Sequence, residues 1–113
     1  MSHSEPQKSD LTPFFEPEGV AVIGSFKEGV FGGYVVVKSL LEAGYKGNIY
    51  PVNPGSYTEV LGLTVYPSPK EIPAKVDVAL LMINARHVPG VLKACGEAGI
   101  KSIILVADGF AER

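Results

Sequence analysis

The apolar positions of the chain form short, nearly unbroken runs separated by polar or glycine-rich turns. Continuous apolar runs of four to eight residues are typical of strands that are buried on both faces of a parallel sheet. The runs predict five strands, at residues 20–23, 48–52, 61–66, 76–83 and 102–106. The run 76–83 is the most hydrophobic, which favours a central position for it in the sheet.

Apolar residues return to a helical spacing in two segments, 34–43 and 87–98. Each ends at a glycine, Gly44 and Gly99, where a left-handed C-cap residue belongs. Residues 68–71 read Ser-Pro-Lys-Glu, a capping box with proline at the first helical position, and they predict a third, short helix.

The order strand, helix, strand, strand, helix, strand predicts an α/β fold with a doubly wound parallel sheet of about five strands, in three αβα layers. Residues 1–10 are polar and predict a disordered tail, so the domain is expected to span residues 11–113. The strand at 102–106 should be buried on both faces, but little chain follows it. A second copy in a homodimer, or Phe14 and Phe15, would cover it.

The chain is organised around residues 19–34, where a buried strand stops at Gly24 and a glycine-rich loop leads into a helix. Glycines let backbone N–H groups approach a phosphate, and the helix N-terminus favours negative charge. The loop has neither the spacing of the dinucleotide fingerprint nor that of the P-loop. A turn that serves only chain geometry is the alternative interpretation.

Charge and composition exclude several classes of protein. The net charge of −2 provides no basic field for nucleic acid. No apolar run reaches the roughly 18 to 20 residues of a membrane span, which predicts no membrane partner. The single cysteine suits a reducing compartment, and the expected location is the cytoplasm.

Ligands of such sheets bind outside the carboxyl ends of the strands, where four loops should converge: 24–33, 53–57, 83–86 and 107–110. Asn53 stands where NAD enzymes carry an acidic residue, which weakens an NAD-binding interpretation. A surface or capping role is the more common one for His87, and Cys95 lies on an apolar helix stripe. Asp108 would hold its loop or touch a ligand. The sequence predicts no metal site and no catalytic residue in this chain.

Four segments resemble the N-terminal CoA-binding domain of NDP-forming acyl-CoA synthetases: 11–25 (LTPFFEPEGVAVIGS), 44–54 (GYKGNIYPVNP), 59–68 (EVLGLTVYPS) and 98–112 (AGIKSIILVADGFAE). That family includes ADP-forming acetate–CoA ligase and is related to the succinyl-CoA synthetase alpha subunit. The resemblance implies a Rossmann-like domain with CoA as its ligand. It departs from the family's common pattern at Phe26, Ser56 and Asn84.

Matched residue by residue, the resemblance places the CoA contacts at four strand exits. The implied contact residues are Gly24, Ser25, Phe26, Lys27, Gly33, Tyr34, Val52, Asn53, Pro54, Ser56, Ile83, Asn84, Ala85, Val106, Ala107, Asp108 and Gly109.

The resemblance also implies a role within a larger enzyme. The whole synthetase would make acyl-CoA, NDP and phosphate from an acid, CoA and a nucleoside triphosphate. Its phosphohistidine and ATP-grasp parts would be the partners of this chain, which would bind CoA and not catalyse alone. The alternative is a freestanding, non-catalytic CoA- or nucleotide-binding or regulatory module.

Overall fold

The computed structural model describes residues 19–28 and 32–106. Within them the elements are β1 (Gly19–Gly24), α1 (Gly33–Glu42), β2 (Asn48–Val52), β3 (Glu59–Val60), β4 (Leu63–Thr64), β5 (Val78–Met82), α2 (Val88–Glu97) and β6 (Ser102–Leu105). Two short 3-10 helices, Pro69–Glu71 and Ala85–His87, precede β5 and α2 respectively. The predicted tail 1–10 and the aromatic pair Phe14 and Phe15 lie outside the described residues.

The described residues form a four-stranded parallel sheet in the order β2-β1-β5-β6. The chain moves from β1 outward to β2 and then returns to the other side of β1 at β5. The direction of winding therefore reverses between β1 and β5, which defines a topological switch point. The predicted α/β fold, with its parallel, doubly wound sheet, is confirmed.

Alternation along the strands divides the core into two layers. Val20 and Val22 of β1 pack with Val37 of α1 on one face of the sheet. Ala21 and Ile23 pack with Cys95 of α2 on the other face. Since side chains alternate between faces along a strand, a continuously apolar strand is buried on both sides, with one helix covering each.

The prediction of a sheet strand at 61–66 is wrong, because Leu61 and Gly62 form the turn of a small antiparallel hairpin between β3 and β4. Both residues have positive φ, 51° and 84°, which reverses the chain where the sequence pattern continued it. Val60 and Leu63 of the hairpin pack into the core on the α1 side of the main sheet, and Tyr66, just after the hairpin, forms an isolated parallel bridge with Val52 at the end of β2. The described parallel sheet therefore has four strands rather than five.

The strand at 102–106 is exposed in part, as expected if the described chain leaves one of its faces bare, and its cover by a second copy or by Phe14 and Phe15 stays a prediction. β6 is an edge strand of the described sheet, and Ile104 and Leu105 remain 42% and 52% exposed. Ile103 is half-buried and packs against the α2-side core.

The predicted helix ends are confirmed. Gly44 and Gly99 have φ of 80° and 83°, the left-handed conformation that ends a helix at little steric cost when the residue is glycine. The hydroxyl of Ser68 accepts a hydrogen bond of 3.3 Å from the Lys70 N–H. That contact starts the predicted short helix, which is of the 3-10 type.

Candidate functional site

A cleft of about 550 Å³ lies at the carboxyl ends of β1, β2 and β5. This is the edge of the sheet at which the winding direction reverses, the place where open α/β sheets bind ligands. Its volume falls within the roughly 300–1,000 Å³ typical of small-molecule sites. The lining residues are Ile23, Gly24, Ser25, Gly32, Val52, Asn53, Pro54, Gly55, Met82, Ile83, Asn84, His87 and Val91.

The first wall of the cleft is the turn from β1 into α1. The Ser25 carbonyl accepts a hydrogen bond of 3.1 Å from the Tyr34 N–H in the first turn of α1. The Ser25 hydroxyl accepts one of 3.3 Å from the Lys27 N–H. Among the described residues no side chain caps the N-terminus of α1. Gly32, the N-cap residue of α1, lines the cleft, so this wall lies at the positive end of a helix dipole.

Gly33 lies at a close approach within this wall. A Cβ atom there would lie 2.5 Å from Cε1 of Phe26 and 3.0 Å from the Ser25 carbonyl oxygen. The Phe26 ring is buried and meets Tyr57 edge-on, with ring centroids 5.9 Å apart. The start of α1 can approach the loop only because residue 33 lacks a side chain.

Asn53 connects the ends of β1 and β2. Its Nδ2 donates to the Gly24 carbonyl at 2.6 Å, and its Oδ1 accepts from the Gly55 N–H at 2.7 Å. The second contact is an Asx turn, which directs the chain out of β2. Asn53 stands where NAD enzymes carry a ribose-binding carboxylate. In the structure its amide holds two walls of the cleft in register.

The third wall follows β5. Met82 and Ile83 end the strand, Asn84 precedes the 3-10 helix Ala85–His87, and Val91 lies one turn into α2. Asn84 accepts a backbone hydrogen bond of 2.9 Å from the His87 N–H. This tight turn brings the His87 side chain to the rim of the cleft, where it remains exposed.

Of the residues predicted from the sequence to contact the ligand, seven line the cleft: Gly24, Ser25, Val52, Asn53, Pro54, Ile83 and Asn84. Seven others are described but do not line it: Phe26, Lys27, Gly33, Tyr34, Ser56, Ala85 and Val106. Ala107, Asp108 and Gly109 lie outside the described residues. Phe26 belongs to the α1-side core, and Lys27 and Ser56 are exposed.

Several lining residues were not among the contact residues implied by the resemblance, notably Gly32, Gly55, Met82, Val91 and His87. Gly32 and Gly55 do belong to the loops 24–33 and 53–57 that the sequence predicted at the site. His87 follows the end of β5 by only five residues, so its place at the carboxyl edge was available from the pattern. It was passed over because the sequence shows no partner for it.

The electrostatics of the cleft come almost entirely from uncharged groups. No lysine, arginine or carboxylate stands among the described lining residues, and His87 is the titratable side chain there. The described residues also hold no group of three side chains suited to a metal ion. The cleft can thus bind an anion through backbone N–H groups, amide side chains and one imidazole.

A second groove of about 340 Å³ lies at the other end of β2, beside Tyr45, Tyr50 and Tyr66. Burial, the nearby Asp77 carboxylate and Tyr50 raise the pKa of Tyr45 above its usual value. Since its phenol stays neutral at physiological pH, Tyr45 adds no negative charge to the groove.

Replacing Asn53 with alanine is expected to lower the free energy of unfolding by about 1–3 kcal/mol, because the Gly24 carbonyl and the Gly55 N–H both lose a partner. Urea unfolding measures the change. Asn84→Ala is the matched control, because Asn84 is exposed and makes no side-chain cap of the helix that follows it. It should change stability by less than about 0.5 kcal/mol. Equal losses in the two variants would contradict the role given to Asn53.

A cleft at the switch point of a doubly wound sheet, with a glycine turn and an uncapped helix N-terminus as one wall, defines a nucleotide-binding type of α/β domain. The family model described as "CoA binding domain" matches residues 18–113. The chain therefore belongs to the CoA-binding domain family.

Similar proteins share this domain. The chain is 43% identical over 105 residues to the alpha subunit of ADP-forming acetate–CoA ligase I from Pyrococcus furiosus, covering 90% of this chain and 23% of that protein. It is 39% identical, with a TM-score of 0.83, to dinucleotide-forming acetyl-coenzyme A synthetase 1 of Candidatus Korarchaeum cryptofilum, solved with phosphate and ADP. That match covers 91% of this chain and 22% of the other.

A shorter solved chain is also similar. A conserved hypothetical protein from Pyrococcus furiosus is 32% identical, with a TM-score of 0.69, and the match covers 79% of this chain and 74% of that one. The chain thus spans less than a quarter of the ligase and synthetase chains, but most of this smaller protein. No helix in the described part of the chain is long and apolar enough to cross a membrane.

Proposed function

We propose that the chain supplies the CoA site of an ADP-forming acyl-CoA synthetase and binds the nucleotide and pyrophosphate part of CoA in the cleft at the carboxyl ends of β1, β2 and β5. The observation that carries the proposal is the joint placement of the cleft and the uncapped start of α1 at the topological switch point. Membership of the CoA-binding domain family names the ligand.

The geometry assigns separate tasks to the walls of the cleft. A phosphoryl group would lie beside Gly32, because Gly32 lines the cleft and is the N-cap residue at the positive end of α1. Asn53 would hold the loops at a fixed separation. The apolar side chains of Ile23, Met82 and Val91 would contact the adenosine.

The chain is proposed to bind CoA without forming acyl-CoA by itself. The described cleft combines no nucleophile with a base, so acid activation would fall to the remaining synthetase domains or subunits, which are its proposed partners. The acetate–CoA ligase subunit covers more than four times the matched length, which leaves room for such parts.

Calorimetry with the purified chain tests this function. CoA should bind with a measurable heat, and NAD should bind at least about tenfold more weakly, because Asn53 provides no carboxylate for the nicotinamide dinucleotide's ribose. A mixture of acetate, ATP and CoA should yield no acetyl-CoA. Failure to bind CoA would refute the proposal, as would turnover that persists after contaminating synthetases are removed.

The second candidate is a freestanding CoA-binding module, which the match to a solved chain of similar size favours. The mass of the endogenous polypeptide, measured in extracts of the source cells, separates the two. A chain close to 12.0 kDa supports the module, and a chain several times larger supports the synthetase.

A further inference from the structure

We infer that His87 binds a phosphoryl group of CoA as an imidazolium, so that CoA binding takes up a proton. This inference rests on the proposed function. The charges of the ligand and of the cleft do not match. CoA carries a pyrophosphate and a 3′-phosphate, all anionic at neutral pH, whereas the described lining contains no lysine or arginine. His87 is the side chain of that lining that can become a cation.

The position of His87 is fixed by the turn after β5. The 3-10 helix Ala85–His87 runs directly into α2, and the His87 N–H is bonded to the Asn84 carbonyl at 2.9 Å. His87 thus stands on the wall formed by β5 and α2, while Gly32, at the positive end of α1, belongs to the wall formed by β1. A phosphorylated ligand in the cleft would therefore lie between the start of α1 and the imidazole of His87.

His87 is the N-cap residue of α2, where the positive end of the helix dipole disfavours an imidazolium until an anion is bound beside it. Few other charges surround it. The residues that share the cleft with it, from the ends of β1, β2 and β5 and from α2, are apolar or uncharged. Its neighbour Arg86 is exposed and does not line the cleft, and Lys27 is exposed at the opposite loop. A phosphate anion would be the dominant negative charge facing His87, and an anion at hydrogen-bond distance favours the imidazolium.

The charge of His87 makes the affinity for CoA depend on pH. Histidine side chains ordinarily titrate near pH 6.5, so the cationic form is available below that pH and is lost above it. CoA should therefore bind more tightly as the pH falls, through the contribution of His87. The 3′-phosphate itself loses its second charge near pH 6, which works in the opposite direction. Because the ligand's own titration affects the intact chain and a His87 variant equally, it cancels in the ratio of their Kd values at each pH.

The experiment measures the Kd of CoA between about pH 5.5 and 8.5 for the intact chain and for His87→Gln, which retains a hydrogen-bond donor and cannot be charged. The ratio of the variant's Kd to that of the unaltered chain should approach about tenfold at the acid end and fall towards one at the alkaline end. Arg86→Gln is the matched control. It removes a permanent charge one residue away, so its Kd ratio should be the same at every pH.

A spectroscopic readout separates ligand contact from a structural role. The chain has two histidines, and His87→Gln assigns the NMR signals of the imidazole of His87. CoA should raise the titration midpoint of His87 and leave that of His3 unchanged. Dephospho-CoA identifies the phosphoryl group: a retained shift indicates the pyrophosphate, and a lost shift indicates the 3′-phosphate.

The inference and the proposed function fail in different ways. If the unaltered chain does not bind CoA, the proposed function is refuted, and the inference with it. If CoA binds but the Kd ratio for His87→Gln is independent of pH and the midpoint of His87 does not move, only the inference is overturned.

Discussion

Replacing Gly24 with alanine should lower the free energy of unfolding by about 2–3 kcal/mol and weaken CoA binding at least about tenfold. Gly24 ends the central strand β1 opposite Met82 of β5. A Cβ atom at residue 24 would lie 2.8 Å from the Met82 carbonyl oxygen and 3.3 Å from the Gly33 amide nitrogen. Backbone atoms cannot rotate away as a side chain can, so β1 and β5 must separate exactly where the cleft is built.

Gly96→Ala provides the control for Gly24→Ala. Gly96 lies in α2, and an added Cβ atom meets nothing within 4 Å. Alanine there should leave stability unchanged or raise it by up to about 1 kcal/mol, because it reduces the conformational freedom of the unfolded chain. Chemical denaturation and CoA calorimetry measure both effects. A Gly24→Ala protein with the stability and the Kd of the unaltered chain would refute the close approach.

Leu81→Ala should lower the free energy of unfolding by about 3 kcal/mol or more. Leu81 is fully buried in β5 and packs in the core on the α2 side of the sheet. Truncating it removes apolar contacts and leaves a cavity between the sheet and α2, which cannot close around it completely. The urea midpoint should fall with little change in the slope of the transition.

Leu105→Ala is the control for Leu81→Ala. Leu105 of β6 pairs directly with Leu81 and carries the same side chain, but is 52% exposed at the sheet edge. Leu105→Ala should cost less than about 1 kcal/mol. Similar losses at the two positions would contradict the assignment of β5 to the centre of the sheet and β6 to its edge.

Much of the fold follows from the sequence because the burial of β1 and β5 on both faces requires unbroken apolar runs. The runs at 20–23 and 76–83 therefore identified the two central strands. Gly44 and Gly99 marked the helix ends because both residues have positive φ, a local backbone conformation that favours glycine. Neighbours along the chain determine these features, so the sequence pattern is sufficient to predict them.

The hairpin between β3 and β4 could not be predicted from the same pattern. Leu61 has a φ of 51°, which a leucine seldom adopts, so the segment carries no conventional turn signal such as Asn-Gly. The apolar residues around it are used by the α1-side core, where Val60 and Val65 are buried. Contacts distant along the chain decided this conformation in place of local preference.

In the candidate site, too, some features follow from the local sequence and others from contacts between residues distant along the chain. The turn after β2 was predicted from Asn-Pro-Gly, but the bond from Asn53 to the Gly24 carbonyl joins residues 29 positions apart. The family resemblance implied that Phe26 contacts the ligand. The ring instead fills the space that Gly33 leaves open. Sequence position identified the loops of the site, and packing decided which side chains face the cleft.

The reactivity of Cys95, the single cysteine of the chain, should depend on whether the cleft is occupied. Cys95 is fully buried, and burial raises the pKa of its thiol, so a reagent that needs an exposed thiolate cannot attack it in the closed fold. The rate of Cys95 alkylation therefore measures how often α2 moves away from the sheet. Val91, which lines the cleft, lies four residues earlier on the same helix. A ligand that secures that wall would slow alkylation of Cys95, and occupancy could be followed on the native chain without any attached probe.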